Sequence, residues 1–253
     1  MNDPVAVYHP DLSLKGKLRR RLVRLAHRRP ARLTLTRPMV SFSFDDPPAT
    51  ATTTGAELLE ARGLKGTYYV ASALAERDGP MGRFAGADEM ARVRKAGHEI
   101  ACHTFAHLDC GQATSSEISA DSDRNAEVLA RIGVTPSTFA YPYGDVSLQA
   151  KQTLGHRFDL LRSLHHGLIE DGADLNQAPA VGVEGPHGEA TALRWLAKAQ
   201  ARKAWLILYT HDVADEPSAW GCTTSALARL MDKALADGFE VVTVAEGARR
   251  CAA

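Results

Sequence analysis

Short strand-like runs recur along the 253-residue chain, at 39–44, 66–71, 98–102, 137–141, 158–162, 205–210 and 239–244. Helical patterns lie between them, near 53–63, 87–96, 114–132, 146–155, 190–203 and 222–237. This alternation leaves few architectures open. Parallel strands need a crossover between them, and the crossover helices cover the faces of the sheet. The pattern therefore predicts an α/β fold of parallel β/α units in one large domain. At 45% hydrophobic residues, the chain is long and apolar enough to fill a barrel core. Thr114-Ser-Ser-Glu117 has capping-box spacing, and Gly63, Gly97, Gly133 and Gly238 each follow a helical pattern as C-terminal caps do. There is no internal repeat and no low-complexity tract.

Polar residues gather where the strand-like runs end. Val40, Phe42 and Phe44 alternate with Ser41 and Ser43, the period of a strand with one buried face, and Pro47-Pro48 forbids its continuation. Asp45 and Asp46 thus emerge at its C-terminal tip. On an extended backbone their side chains diverge, so one carboxylate can bind a cation while the other faces the reacting water. The run His98–Cys102 delivers His103, with His107 four residues on, and Trp205–Thr210 delivers His211. Sites of parallel α/β folds assemble at these C-terminal strand ends.

Each fragment alone has an ordinary reading. Ten histidines in a chain of this length give roughly 0.4 pairs at four-residue spacing by chance, so His103 and His107 alone decide nothing. An Asp-Asp after a strand is commonly a turn or a helix cap, and His211 alone is more often a satisfied histidine than a catalyst. Together, Asp46, His103 and His107 offer two imidazoles and a carboxylate to a divalent cation, leaving coordination positions open. Asp45 and His211 remain as an acid/base pair.

The segments Ser43-Phe-Asp-Asp46, His103-Thr-Phe-Ala-His107, Tyr141-Pro-Tyr-Gly144 and Leu208-Tyr-Thr-His211 occur in an order and spacing that resembles the polysaccharide deacetylases (NodB-homology, carbohydrate esterase family 4). The likeness covers about residues 38–248 and marks 38–253 as a catalytic domain behind a basic extension, 1–37. It implies a distorted (β/α) barrel and the metal-dependent removal of acetyl groups from N-acetylglucosamine-type units. It further implies that Asp45 is the general base, that Asp46, His103 and His107 hold a zinc-like ion, and that His211 is the general acid. The backbone N–H of Tyr143 would help hold the oxyanion. Two other readings stay open: hydrolysis of a small amide on the same scaffold, and carbohydrate binding without catalysis. A looser likeness, in general appearance and not in a motif, is to deacetylases of bacterial adhesive exopolysaccharide synthesis such as holdfast; a cytoplasmic location would favour a lipid-linked or otherwise intracellular N-acetylated oligosaccharide as substrate.

The chain departs from the family pattern in two places. An Arg commonly precedes the Pro-Tyr-Gly segment, but here the sequence reads Phe139-Ala-Tyr-Pro142. Arg162, at the end of 158–162, either replaces it beside Asp45 or pairs with a surface carboxylate. The family's Asp-Trp segment, which steadies the catalytic His, is not recognisable near 158–170, leaving Asp212 or Asp159 as candidates for that task. The turn-rich tract 163–190 is a substrate-contacting loop or a connector. Trp220 offers a face for stacking on a sugar or fills the core.

The formal net charge is zero but unevenly spread: residues 1–37 hold ten Lys and Arg against Asp3 and Asp11, a net of +8, so the remainder carries −8. Leu14, Leu18, Leu22 and Leu25 recur at helical spacing within Lys15–Arg29. That predicts a basic amphipathic helix, lying on an anionic membrane or packing on the barrel or on a second copy in a homodimer. The acidic remainder argues against nucleic acid. No apolar stretch approaches 18 residues, and the N-terminus lacks a signal-peptide core, which gives a cytoplasmic expectation. Cys102, Cys110, Cys222 and Cys251 have no metal or disulfide spacing and are expected as thiols.

Overall fold

A computed structural model describes residues 22–251 of the chain. Its main sheet is parallel, in the order β7 (Leu160–Arg162), β6 (Thr138–Ala140), β5 (Glu99–Cys102), β2 (Thr67–Val70), β1 (Met39–Asp45), β9 (Trp205–Thr210), β8 (Val181–Gly182). Strand β10 (Glu240–Val241) pairs with the start of β1. The sheet curls until one segment meets both edges: Ala178 bridges to Arg162 of β7, and Val181 pairs with Leu208 of β9. The result is the expected distorted barrel, with the strands' C-terminal ends at a common mouth.

Strand β1 differs from its expected form in being buried on both faces, at all seven residues. Val40, Phe42 and Phe44 pack outward under the helices, while Met39 joins an inner cluster with Tyr69, Ala101, Ala140, Ile207 and Tyr209. Ser41 and Ser43 are tolerated inside because each is satisfied. The Ser41 hydroxyl accepts from Trp205 Nε1 at 3.0 Å, and the Ser43 hydroxyl donates to the Leu208 carbonyl at 2.9 Å. Burial on both faces is what helices outside and side chains inside impose on a parallel strand.

The helices follow the sequence closely: Ala87–Lys95, Ser115–Ala130, Leu148–Leu154, Gly188–Arg202 and Thr224–Ala236, with a π-turn at Ala51–Gly55 leading into Ala56–Glu60. Thr114 and Glu117 form the expected reciprocal cap. Gly63, Gly97, Gly133 and Gly238 all take positive φ after a helix. The stretch 239–244 is a strand only at Glu240–Val241, because Thr243 accepts from the Glu246 N–H and starts a helix, Val244–Arg250. A hairpin, β3 (Asp78–Gly79) and β4 (Gly82–Arg83), was not expected from the sequence.

Leu14 and Leu18 of the N-terminal leucine stripe lie outside the described residues. Leu22 and Leu25 are 49% and 70% exposed, and the neighbouring Val23 is the buried residue instead. All four cysteines are buried free thiols, and Cys102 sits beside the Asn125 amide. No helix among the described residues is long and apolar enough to cross a membrane.

Candidate active site

Asp45 ends β1, and Asp46 follows it at φ +40°. The two carboxylates therefore part company through a left-handed backbone turn, and not through the strand alternation that the sequence suggested. The Asp46 N–H still donates to the Tyr69 carbonyl of β2, which fixes the turn. Thr104, His107 and Tyr143, which also line the mouth, have φ of +63°, +55° and +58°. Such non-glycine strain costs roughly 1–3 kcal/mol per residue and persists only where surrounding contacts enforce it. Those contacts are present: Asp121 accepts from the Phe105 and Ala106 N–H groups, and the Thr104 hydroxyl accepts from the Leu108 N–H.

This loop brings His103 and His107 onto Asp46. Their candidate ligand atoms and that of Asp46 lie within 4.8 Å of one another. His107 Nε2 is 2.9 Å from Asp46 Oδ2 and His103 Nε2 is 4.0 Å from it. His103 Nδ1 lies 2.8 Å from the Ala140 carbonyl, so Nδ1 carries the proton and Nε2 presents its lone pair to the site. Asp46 Oδ1 is buried and has no hydrogen-bond partner among the described residues. Two imidazoles and a carboxylate, one of whose buried oxygens is unsatisfied, fit a divalent cation of zinc type.

The electrostatics agree with that fit. Burial opposes ionisation of Asp46, yet His107 and His103 hold it down at about 2. Burial pushes His103 down to about 4 against the pull of Asp46, keeping it neutral. His107 is also buried but is raised by its contact with Asp46. The Tyr143 ring packs edge-on against His107 at 4.5 Å, and its backbone belongs to the 3-10 turn Pro142–Gly144.

Arg162 is fully buried and donates from Nη2 to Asp45 Oδ1 at 2.6 Å. It comes from β7, the strand paired with β6, where Arg162 lies in register with Ala140 of the segment that lacks the usual Arg, and it opens onto the same mouth. Its guanidinium lies over the rings of Tyr69 and Tyr209, at 4.9 and 5.2 Å. The surface-pairing alternative for Arg162 is thus excluded by its burial. Ala140, at the family's Arg position, contributes only its carbonyl to His103.

His211 follows β9. Its Nδ1 lies 2.9 Å from Glu184 Oε1 and 3.2 Å from the Trp220 carbonyl, toward which the hydrogen bond is directed. Burial opposes its protonation, but Glu184, Asp45 and Asp46 together raise it to about 9. Neither acid suggested by the sequence performs this task. Asp212 accepts from the backbone and hydroxyl of Ser218, shaping the loop, and Asp159 engages Arg29 through its carbonyl. Glu184 was missed because its strand is two residues long and lies inside the turn-rich tract 163–190. Its signal was present: the alternating small apolar run Ala178–Val183 ends in an acid, as β1 does. Trp220 is 45% exposed, which excludes the core-filling alternative.

Residues 32–157 match the family model described as polysaccharide deacetylase. The chain belongs to the polysaccharide deacetylase family. A chitin deacetylase of Colletotrichum lindemuthianum is 24% identical over 216 residues, 85% of this chain and 81% of that protein. Chitin deacetylase 1 of Cryptococcus neoformans var. grubii is 31% identical over 106 residues, which are 41% of this chain and 21% of that relative's length. The solved structure of the Colletotrichum lindemuthianum chitin deacetylase superposes with a TM-score of 0.61 at 21% identity, covering 85% of this chain and 89% of that one. Likeness at this level establishes the shared deacetylase fold. As a deacetylase-family member, the chain presents Asp45, Asp46, His103, His107, Tyr143, Arg162 and His211 at one mouth, with Glu184 added by the structure.

Proposed function

We propose that this protein is a metal-dependent hydrolase that removes N-acetyl groups from N-acetylglucosamine-type units of a polysaccharide or its lipid-linked precursor. The observation that carries this reading is the pairing around the Asp46, His103 and His107 cluster: Asp45 tied to Arg162, and His211 held between Glu184 and the Trp220 carbonyl. A protein that only binds carbohydrate has no need of two separately anchored proton-transfer groups.

Asp46, His103 and His107 would hold the cation, which when bound supplies Lewis acidity to the acetamide carbonyl and lowers the pKa of water to about 7. Arg162 engages Asp45 Oδ1, orienting the carboxylate so that Oδ2 takes the proton of the attacking water. The Tyr143 backbone N–H assists the oxyanion. His211, whose protonation Glu184 and Asp45 favour, gives its proton to the departing amine, without which that group leaves poorly. Trp220 offers an exposed ring for a neighbouring sugar, which favours an oligosaccharide over a small amide.

The reading is tested by acetate release from N-acetylated chito-oligosaccharides. Activity should vanish with a chelator, return with zinc or another divalent cation, and be absent in His211→Gln. Full activity in metal-free protein, or none in the reconstituted enzyme on any N-acetylated oligosaccharide, would reject it.

A further inference from the structure

The segment before β1 is anchored to the barrel by a set of buried polar contacts. At its start, Val23 is buried in the cluster of Phe139, Tyr141 and Leu154, and its carbonyl accepts from Lys151 Nζ at 2.9 Å. Lys151 is itself fully buried and paired with Asp174 at 2.6 Å. Further on, the Asn176 amide donates to the His27 carbonyl, and Arg29 donates to the carbonyls of Gly155 and Phe158. Lys151 lies mid-way along helix Leu148–Leu154, whereas Gly155 to Phe158 form the turn that feeds the N-terminal end of β7. The Arg29 N–H also donates to Asp174 Oδ1 at 3.0 Å, so the two ends of the segment are held on one buried ion pair. Arg24 is close enough to His165, three residues beyond Arg162, to help burial hold that imidazole down at about 4.

At this flank, Leu22 and Leu25 are 49% and 70% exposed. In the sequence they continue the spacing of Leu14 and Leu18 and are interleaved with Arg24 and Arg28, within residues 1–37 of net +8; the remainder of the chain is net −8. Exposed leucines interleaved with arginines suit a surface that is anionic outside and apolar beneath. A folded protein partner would have to match both, whereas an anionic bilayer supplies both without shape complementarity. The opposite charge of the body adds orientation, since an anionic surface attracts one flank and repels the remainder.

We propose that Leu22 and Leu25, with Arg24 and Arg28, seat the protein on an anionic lipid surface. The docking does not depend on the deacetylase reading, and is tested without measuring hydrolysis. The full chain is sedimented with vesicles of phosphatidylglycerol and phosphatidylcholine, and with phosphatidylcholine alone, at low and high salt. Wild type is expected to bind only the anionic vesicles and to be released at about 0.5 M salt, where screening acts within roughly 4 Å. The double variant Leu22→Ser, Leu25→Ser should bind at least about tenfold more weakly, from two part-buried leucines. Its thermal melting should be unchanged, because both side chains are solvent-facing. Absence of binding to anionic vesicles at low salt overturns the proposal. Undiminished binding by the double variant overturns it too, by showing charge attraction without leucine seating. A wild-type dimer that the double variant converts to monomer, with no vesicle binding, would assign the flank to a second copy instead.

Discussion

Replacing Arg162 with methionine strands a buried carboxylate, and the cost follows from the structure. The Arg162 side chain is fully buried and that of Asp45 is 5% exposed, with 2.6 Å between Nη2 and Oδ1. Removing one partner of a buried pair costs about 3–5 kcal/mol, because the remaining charge is left uncompensated. Loss of the contacts with Tyr69 and Tyr209 adds about 1 kcal/mol. In the other direction, Arg162 Nε and Nη1 are buried without hydrogen-bond partners among the described residues, and their removal relieves about 1–3 kcal/mol. The net expectation is a loss of about 3 kcal/mol, or roughly 6–12 °C in melting temperature for a chain of this size. Calorimetric melts of wild type, Arg162→Met, Asp45→Asn and the double variant complete a cycle. Since Asp45→Asn removes the stranded charge, the double variant should be more stable than the sum of single effects predicts, by about 2 kcal/mol. An Arg162→Met protein within about 1 kcal/mol of wild type, or strict additivity in the cycle, would refute the pairing.

Three further outcomes are expected. In metal-free protein His211 should titrate near pH 9 by NMR, and Glu184→Gln should bring that value down; an unshifted value in the variant would separate the two residues. Because the folded value is raised above the ordinary 6.5, the associated stability, roughly 3 kcal/mol, is fully present below pH 6.5 and is lost as pH rises through about 9. Comparison of wild type with His211→Gln across that window measures it. Zinc at one hundred times its dissociation constant should stabilise the metal-free protein by about 2.7 kcal/mol, and a melting temperature indifferent to metal would contradict the ligand set. Trp220→Ala should raise KM for oligosaccharides by about two- to tenfold while sparing kcat, since the backbone carbonyl that holds His211 is retained; a selective kcat loss would show a different role.

The barrel was legible because its strands are short and its helices carry their own stop signals. Thr114, Glu117 and the four C-terminal glycines act locally, so the sequence displays them in full. Burial of Ser41 and Ser43 was not legible, since two hydroxyls look solvent-facing until Trp205 and the Leu208 carbonyl are placed opposite them. The adjacency of Asp45, Asp46, His103, His107 and His211 followed from their common position at strand ends. Arg162 followed the same logic from a different strand. Glu184 did not, because a two-residue strand has no periodicity to read; Asp212, next to His211 in sequence, is spent on Ser218, and Asp159 precedes β7 beside Arg29. The last apolar stretch misled for the opposite reason: Thr243 begins a helix within an apparent strand.

The most direct test of the account is metal content after exhaustive dialysis, measured by elemental analysis alongside acetate release. Wild type should retain about one divalent ion per chain, because Asp46, His103 and His107 converge on one point. Asp46→Ala should lose both metal and activity, whereas Asp45→Asn should keep the metal and lose turnover. Metal retained by Asp46→Ala and lost by Asp45→Asn would contradict the division of labour between the two carboxylates.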